Sequence, residues 1–146
     1  MKHVLAVTAL VLTGSIVFAH TGATGIVKER MDGMGVLASA MKTLGTMAKS
    51  GDLDASAIRQ ASQTIQAHSG EALSIRFPEG SLPHVSEAAP LIWTDWDRFT
   101  ALSTELHTIA AELEAQAGAP DLDLGQFVRS LGATCSDCHR DFRIKK

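Results

Sequence analysis

The only two cysteines of the 146-residue chain lie near its carboxyl end, in the run Cys135-Ser136-Asp137-Cys138-His139. A Cys-x-x-Cys-His run is typical of the covalent attachment of a c-type haem. Each thiol can add across one vinyl group of the porphyrin to form a thioether bond. The imidazole of His139 is then placed to bind the iron from the proximal side. The motif therefore predicts one covalent haem c, held by Cys135 and Cys138, with His139 as an iron ligand.

Three other kinds of site use a cysteine pair with this spacing. A redox disulfide normally follows a strand in a βαβ unit, and the sequence shows no such unit. A zinc site needs four ligands, and no second cysteine pair or close histidine pair follows. A structural disulfide in an exported protein is the third alternative. The haem interpretation is preferred, because the adjacent histidine and the export signal described next both fit it.

The amino-terminal stretch has the pattern of a secretory signal peptide. A short basic start, Met1-Lys2-His3, precedes a mostly apolar run over 4–19 that ends in small residues. This run is shorter than the ~20 apolar residues that a membrane-spanning helix needs. We therefore expect cleavage near Ala19, which would release residues 20–146 as a periplasmic protein with no membrane span.

The composition and length limit the kinds of protein that the mature chain can be. The formal net charge of the whole sequence is −3, and this mildly acidic balance argues against nucleic-acid binding. Residues 20–146 suffice for one hydrophobic core and not comfortably for two, so one domain is expected. Tyrosine is absent and alanine is abundant, which favours helix.

Apolar residues recur at helical spacings of three and four along four stretches. Three prolines and a glycine within 77–90 exclude a continuous helix there and predict one long loop. Threonine or aspartate precedes three of the stretches as a candidate N-cap. The predicted helices are 24–49, 52 or 54 to about 75, 91–117, and 121 or 123 to near the carboxyl end.

The apolar stripe of the last predicted helix runs through both cysteines. His139 projects from nearly the same side, so all three side chains of the motif are predicted to point into the core. In the third helix, Trp96 lies on the core stripe. Trp93 lies a quarter-turn off that stripe, where its N–H could bind a polar group of a ligand.

Two features of the first two predicted helices also bear on a ligand. Gly33 and Gly35 bracket Met34, and a missing side chain there would let a flat ligand approach closely, although simple tolerance of glycine is the alternative. His68 falls on or next to the second stripe. We expect it to be partly buried and hydrogen-bonded, not a metal ligand.

The chain resembles the cytochrome c-prime family, the class II c-type cytochromes. The resemblance covers most of the mature chain, and it includes a haem motif at the carboxyl end. It implies an all-α, antiparallel four-helix bundle with one covalently bound haem, an architecture of which this family is a standard example. The matching runs are Cys135-Ser136-Asp137-Cys138-His139 followed by Phe142-Arg143, Lys28-Glu29-Arg30-Met31-Asp32-Gly33-Met34, Phe77-Pro78-Glu79-Gly80-Ser81, and Ile92-Trp93.

The resemblance also implies roles for residues of the first helix. The position four after its arginine faces the distal side of the haem, and low-spin members place a ligating methionine there. This predicts His139/Met34 ligation, whereas periodicity alone does not choose between Met31 and Met34, because methionine is also common core filler. Arg30 would bind a haem propionate, with an ordinary solvated charge as the alternative. Arg143 would lie near the proximal imidazole.

Two functions follow from the resemblance. The first is a one-electron carrier with a six-coordinate, low-spin haem, which is not an enzyme. Its partners would be other redox proteins, with a homodimer left open. The second is a five-coordinate protein that binds nitric oxide or carbon monoxide. A helical bundle without haem and with a structural disulfide is a third possibility from a different class.

Overall fold

The computed structural model describes residues 22–82 and 85–144, and over these ranges the chain is helical. Four of the six helices are long, and they form a bundle in which each packs against two others. The first and the fifth helix of the chain each pack against the second and the sixth. The predicted all-α class is confirmed. Two short helices lie in the connections. The segments are α1 Gly25–Ser50, α2 Ala55–Ala67, α3 Glu71–Ser74, α4 Leu91–Thr94, α5 Trp96–Gln116 and α6 Leu124–Phe142.

Helix ends follow the local chemistry of the sequence. The carboxylate of Asp54 accepts two backbone N–H bonds at the start of α2, at 2.8 and 3.1 Å. Asp123 accepts one at 2.8 Å at the start of α6. Thr24 occupies the N-cap position of α1 without a side-chain bond. Gly51 ends α1 in the left-handed conformation, φ 75°, and donates its N–H to the Met47 carbonyl, as a glycine C-cap does.

The second predicted helix is interrupted before Ile75. α2 ends at Ala67, His68 follows as its C-cap, and Gly70 adopts φ 61° before the short α3 begins. The N–H of Gly70 donates to the Ser103 carbonyl of α5 at 3.0 Å, so a tertiary bond replaces the helical one. The prediction of a continuous helix is therefore wrong at this point.

The third predicted helix is broken at Asp95, which separates α4 from α5. Ile92 and Phe99 are buried, whereas Trp96, the first residue of α5, is 38% exposed. Its ring still lies 5.5 Å from that of Phe99. The prediction that Trp96 lies on the core stripe is therefore wrong, because the start of α5 leaves this side chain at the edge of the aromatic core.

The interior consists of two adjoining clusters. The aliphatic core lies between α1, α2, α5 and α6, and the side chains at its centre have no exposed surface. The aromatic core is formed by Leu73, Phe77, Ile92, Phe99 and Phe142. Phe99 meets the rings of Phe77 and Phe142 edge-on, at centroid distances of 4.9 and 5.4 Å. The centre of the aliphatic core is Leu44, Ile58, Ile65, Ala110, Leu113 and Leu131.

The end of α6 is bonded to the loop that precedes α4. Ala89 donates its N–H to the Phe142 carbonyl at 2.9 Å, and Ile144 donates to the Glu87 carbonyl at 2.8 Å. The Arg143 guanidinium also binds the Glu87 carboxylate at 2.7 Å. Within residues 22–82 and 85–144, no helix has the length and apolar character that crossing a bilayer requires.

Candidate haem-binding site

The two thiols lie where the two cores meet. Cys135 and Cys138 are both half-buried on α6, and they are not joined to each other. Cys135 packs against the aliphatic core, whereas Cys138 packs against the aromatic core. The motif therefore presents both thiols to the interior of the bundle from one helix.

The protein surroundings hold both thiols in the protonated form. Burial raises the pKa of Cys135. Burial, with smaller contributions from Cys135 and the Asp141 carboxylate, raises the pKa of Cys138 to about 11. Because the thiolate is the form that binds zinc and attacks disulfides, this environment disfavours both alternatives at neutral pH. No group of three or more potential metal-ligating side chains occurs in the part of the chain that the structure describes.

His139 lies on the last turn of α6 and is exposed. The prediction that it points inward with the thiols is wrong for this side chain, because neighbouring positions on a helix are turned by about 100°. Partial burial of the ring, and then the positive charge of Arg143, lower the pKa of His139. The neutral imidazole, which is the form that binds a metal, is therefore favoured at neutral pH.

Met34 lies on α1, the neighbour of α6, and its half-buried side chain contacts both the aliphatic and the aromatic core. Met41 and Met47 pack against the aliphatic core alone. Met31 is half-buried but belongs to neither set of core contacts. Among these four methionines, Met34 is the one at the boundary that the two thiols also occupy.

The two glycines beside Met34 differ in their surroundings. A Cβ atom at Gly35 would meet nothing within 4 Å, whereas one at Gly33 would lie 3.5 Å from Nδ1 of His68. The space next to Gly33 is therefore occupied by an imidazole ring. That Nδ1 atom is buried and makes no hydrogen bond within residues 22–82 and 85–144, so our expectation of a hydrogen-bonded His68 is not met there.

Arg30 is a buried cation, only 4% exposed, so the alternative of a solvated charge is wrong. Its guanidinium donates to the hydroxyl and the carbonyl of Ser81, at 3.2 and 2.7 Å, and lies 4.7 Å from the centre of the Phe77 ring. Burial lowers its pKa. Within the described ranges no carboxylate lies within 4.0 Å of it. A buried, unneutralised guanidinium suits a carboxylate that a bound group supplies.

Two further contacts were not anticipated from the sequence. The indole N–H of Trp93, suggested above for a ligand, donates to the Phe77 carbonyl at 2.9 Å. Ser81, which accepts both hydrogen bonds from Arg30, belongs to the run Phe77-Pro78-Glu79-Gly80-Ser81, but nothing in that run indicates that it contacts α1. Both contacts fasten the loop after α3 against the site.

The residues on these helices fit a covalently bound haem. Two protonated thiols face the interior, a neutral imidazole follows them, and a buried guanidinium has no carboxylate within 4.0 Å among the residues described. A bundle with this motif on its last helix defines a c-type haem protein. The attachment points of its single haem c are Cys135 and Cys138.

Comparison with known proteins agrees with this class. The chain belongs to the cytochrome c' family, whose model matches residues 25–143. It is 32% identical over 141 residues to cytochrome c-556 of Agrobacterium fabrum, covering 96% of this chain and 95% of that protein. The structure superposes on cytochrome c' from Rhodopseudomonas palustris with a TM-score of 0.75 and 25% identity, over 85% of this chain and 99% of that one.

A second similar structure was solved with a gas molecule. It is a nitric oxide complex of a mutant of cytochrome c prime from Alcaligenes xylosoxidans. The TM-score is 0.72 and the identity is 28%, over 83% of this chain and 94% of that one. The similar proteins therefore include both a cytochrome c-556 and cytochromes c'.

Proposed function

We propose that this protein is a periplasmic one-electron carrier whose haem iron is bound by His139 and Met34 in a six-coordinate, low-spin state. On this proposal it is not an enzyme, since it makes and breaks no substrate bonds. The single observation that supports it most is the position of Met34, whose side chain contacts both cores at the boundary occupied by Cys135 and Cys138. The haem supplies the one-electron chemistry when bound.

The chain contributes ligands, positioning and exclusion of water. The neutral imidazole of His139 and the thioether of Met34 come from two adjacent helices, α6 and α1. A thioether ligand favours ferrous iron and raises the reduction potential, which suits electron transfer. Arg30 would bind a propionate, and the rings around Phe99 would keep water from one side of the site.

The proposed cellular location and partners depend on features other than the iron ligands. The predicted signal peptide, residues 1–19, lies outside the described residues, as does the basic pair Lys145-Lys146. Net negative charge favours brief encounters with redox proteins that present a basic surface. A homodimer is the second proposed association, and sedimentation of the haem-loaded protein at micromolar concentration tests it.

The absorption spectrum of the oxidised protein tests the proposed ligation. We expect a weak charge-transfer band near the red end, of the kind given by a thioether bound to ferric iron. Met34→Leu keeps the side-chain volume, so the packing change alone should cost less than about 1.5 kcal/mol in stability, apart from the loss of the iron–sulfur bond. It should remove the band and give a high-spin spectrum, while the matched Met31→Leu variant keeps both wild-type features. The reverse pattern would assign the iron to Met31.

Gas binding is the second candidate function, because a similar structure holds nitric oxide. It requires an iron without a sixth protein ligand, or one that leaves easily. A high-spin oxidised wild type that binds carbon monoxide rapidly once reduced would favour this function and exclude the electron-carrier proposal. Slow binding of carbon monoxide, limited by release of Met34, would favour the carrier.

A further inference from the structure

His68 carries a buried nitrogen that the fold leaves without a partner. It follows α2 directly as its C-cap, and its Nδ1 is the one buried side-chain nitrogen or oxygen without a hydrogen bond over residues 22–82 and 85–144. An unsatisfied buried polar atom costs about 1–3 kcal/mol. Native proteins almost always supply a partner to such an atom. The nearby His107 shows the usual case, with its Nδ1 at 3.2 Å from the Gln66 carbonyl.

The position of this nitrogen places it beside the site on α1. It would lie 3.5 Å from a Cβ atom at Gly33, one residue before Met34. Gly33 belongs to the buried stripe of α1 together with Arg30, and residues three apart on a helix are neighbours on one face. The free nitrogen of His68 therefore lies against the same face of α1 from which Arg30 projects, one turn away along the helix.

Both groups lack the same kind of partner. A guanidinium has five N–H donors, and Ser81 accepts from two of those of Arg30, which leaves three. No carboxylate within 4.0 Å neutralises Arg30 within the described ranges. An imidazole Nδ1–H and a guanidinium that lie against one face of a helix are both donors suited to a carboxylate. Of the groups that the haem brings, only its two propionates are carboxylates.

We propose that His68 donates a hydrogen bond from Nδ1 to a haem propionate, beside Arg30, and so fixes the orientation of the haem edge. This rests on the proposed function in that the haem lies between α1 and α6. His68 is a positioning residue on this proposal and does not touch the iron. Its ring must carry the proton on Nδ1, because only that tautomer is a donor there.

The first test needs no variant. Nitrogen NMR of the haem-loaded, ¹⁵N-histidine-labelled wild type reports which ring nitrogen of His68 carries the proton. We expect a protonated Nδ1 that exchanges slowly with solvent. A proton found on Nε2 alone would make Nδ1 an acceptor and would overturn the proposal.

The second test compares variants by resonance Raman spectroscopy, which detects hydrogen bonds to the propionates through their bending band. His68→Leu removes the donor and should shift this band to lower frequency. His68→Asn retains an N–H donor near the same position and should restore the wild-type band. His107→Leu, whose nitrogen already has a protein partner, is the matched control and should leave the band unchanged.

These outcomes are separable from failure of the proposed ligation. A high-spin spectrum of the wild type would refute ligation by Met34 and leave the propionate band to decide the role of His68. If His68→Leu changes the spin state while the propionate band stays unchanged, His68 faces the iron and the proposal is wrong. An unchanged band together with an unchanged spin state would equally overturn it.

Discussion

Replacing Phe99 by leucine should weaken the aromatic core that supports the haem-binding helix. Phe99 is 2% exposed and makes two edge-on ring contacts, to Phe77 and Phe142. Leucine keeps most of the buried apolar surface but loses these two ring pairs and a tilted contact with the Trp96 ring, at a centroid distance of 5.5 Å. At about 0.5–1.5 kcal/mol for each of the three pairs, Phe99→Leu should lower the free energy of unfolding by about 1.5–4.5 kcal/mol.

The assay is guanidinium chloride unfolding of the oxidised, haem-loaded protein, followed by tryptophan fluorescence and haem absorbance together. Phe127→Leu is the matched control, since Phe127 is half-buried beside the aliphatic core and has no ring partner among the residues described. It should cost less than Phe99→Leu, because the half-buried Phe127 loses less packed surface and no ring pair. Combining Phe99→Leu with Phe142→Leu should cost less than the sum of the two single changes, because both remove the same pair.

Equal losses for Phe99→Leu and Phe127→Leu would refute this reasoning. Strict additivity of the Phe99 and Phe142 variants would refute it too. Either result would mean that general burial, and not the ring geometry, supports the end of α6.

Three further predictions concern a cap, an ion pair and a thiol. Asp54→Ala removes two hydrogen bonds to the start of α2 and should destabilise the protein by about 1 kcal/mol in denaturant unfolding, with the exposed Asp52→Ala as control. Glu87→Gln breaks an exposed ion pair with Arg143 and should cost less than about 1 kcal/mol at low salt and still less at high salt. In haem-free protein, alkylation of Cys138 by iodoacetamide should be slow at pH 8 and should rise towards a midpoint near pH 11, since its raised pKa leaves little thiolate below that value.

Each of these has a result that contradicts it. Equal stability of the Asp54→Ala and Asp52→Ala variants would show that the α2 cap contributes nothing measurable. A loss for Glu87→Gln that persists undiminished in 1 M salt would point to the backbone contacts of that loop instead of the charge pair. Fast alkylation of Cys138 at pH 8 would show that its thiol is not desolvated in solution.

The four long helices and their main caps could be predicted because they depend on local signals. Periodic apolar residues and a capping aspartate act within a few residues of one another. The breaks at His68 and Asp95 could not be predicted this way. Gly70 leaves the helical path to bond Ser103, a residue 33 positions later, and no local pattern encodes that partner.

The same difference between local signals and long-range contacts decides which parts of the candidate site could be predicted. The cysteine motif is contiguous, so spacing alone identified it. The resemblance implied a propionate-binding role for Arg30, but the burial of Arg30 depends on Ser81 and Phe77, which lie on a loop far along the chain and could not be predicted from local patterns. His68 was expected to find a hydrogen-bond partner inside the fold; its unpaired nitrogen became visible only once α2 was placed against α1.

The loop between α3 and α4 is hydrogen-bonded to two of the long helices, α1 and α6. Its first part, 77–82, is tied to α1 through Ser81 and Arg30, and its second part, 85–90, is tied to α6 through the backbone of Phe142. These are the helices that carry the two proposed axial ligands. A loop fastened at both places restrains the separation of those ligands when the iron changes oxidation state. On the proposed ligation this keeps the inner-sphere reorganisation energy small, and it does so from outside the coordination sphere.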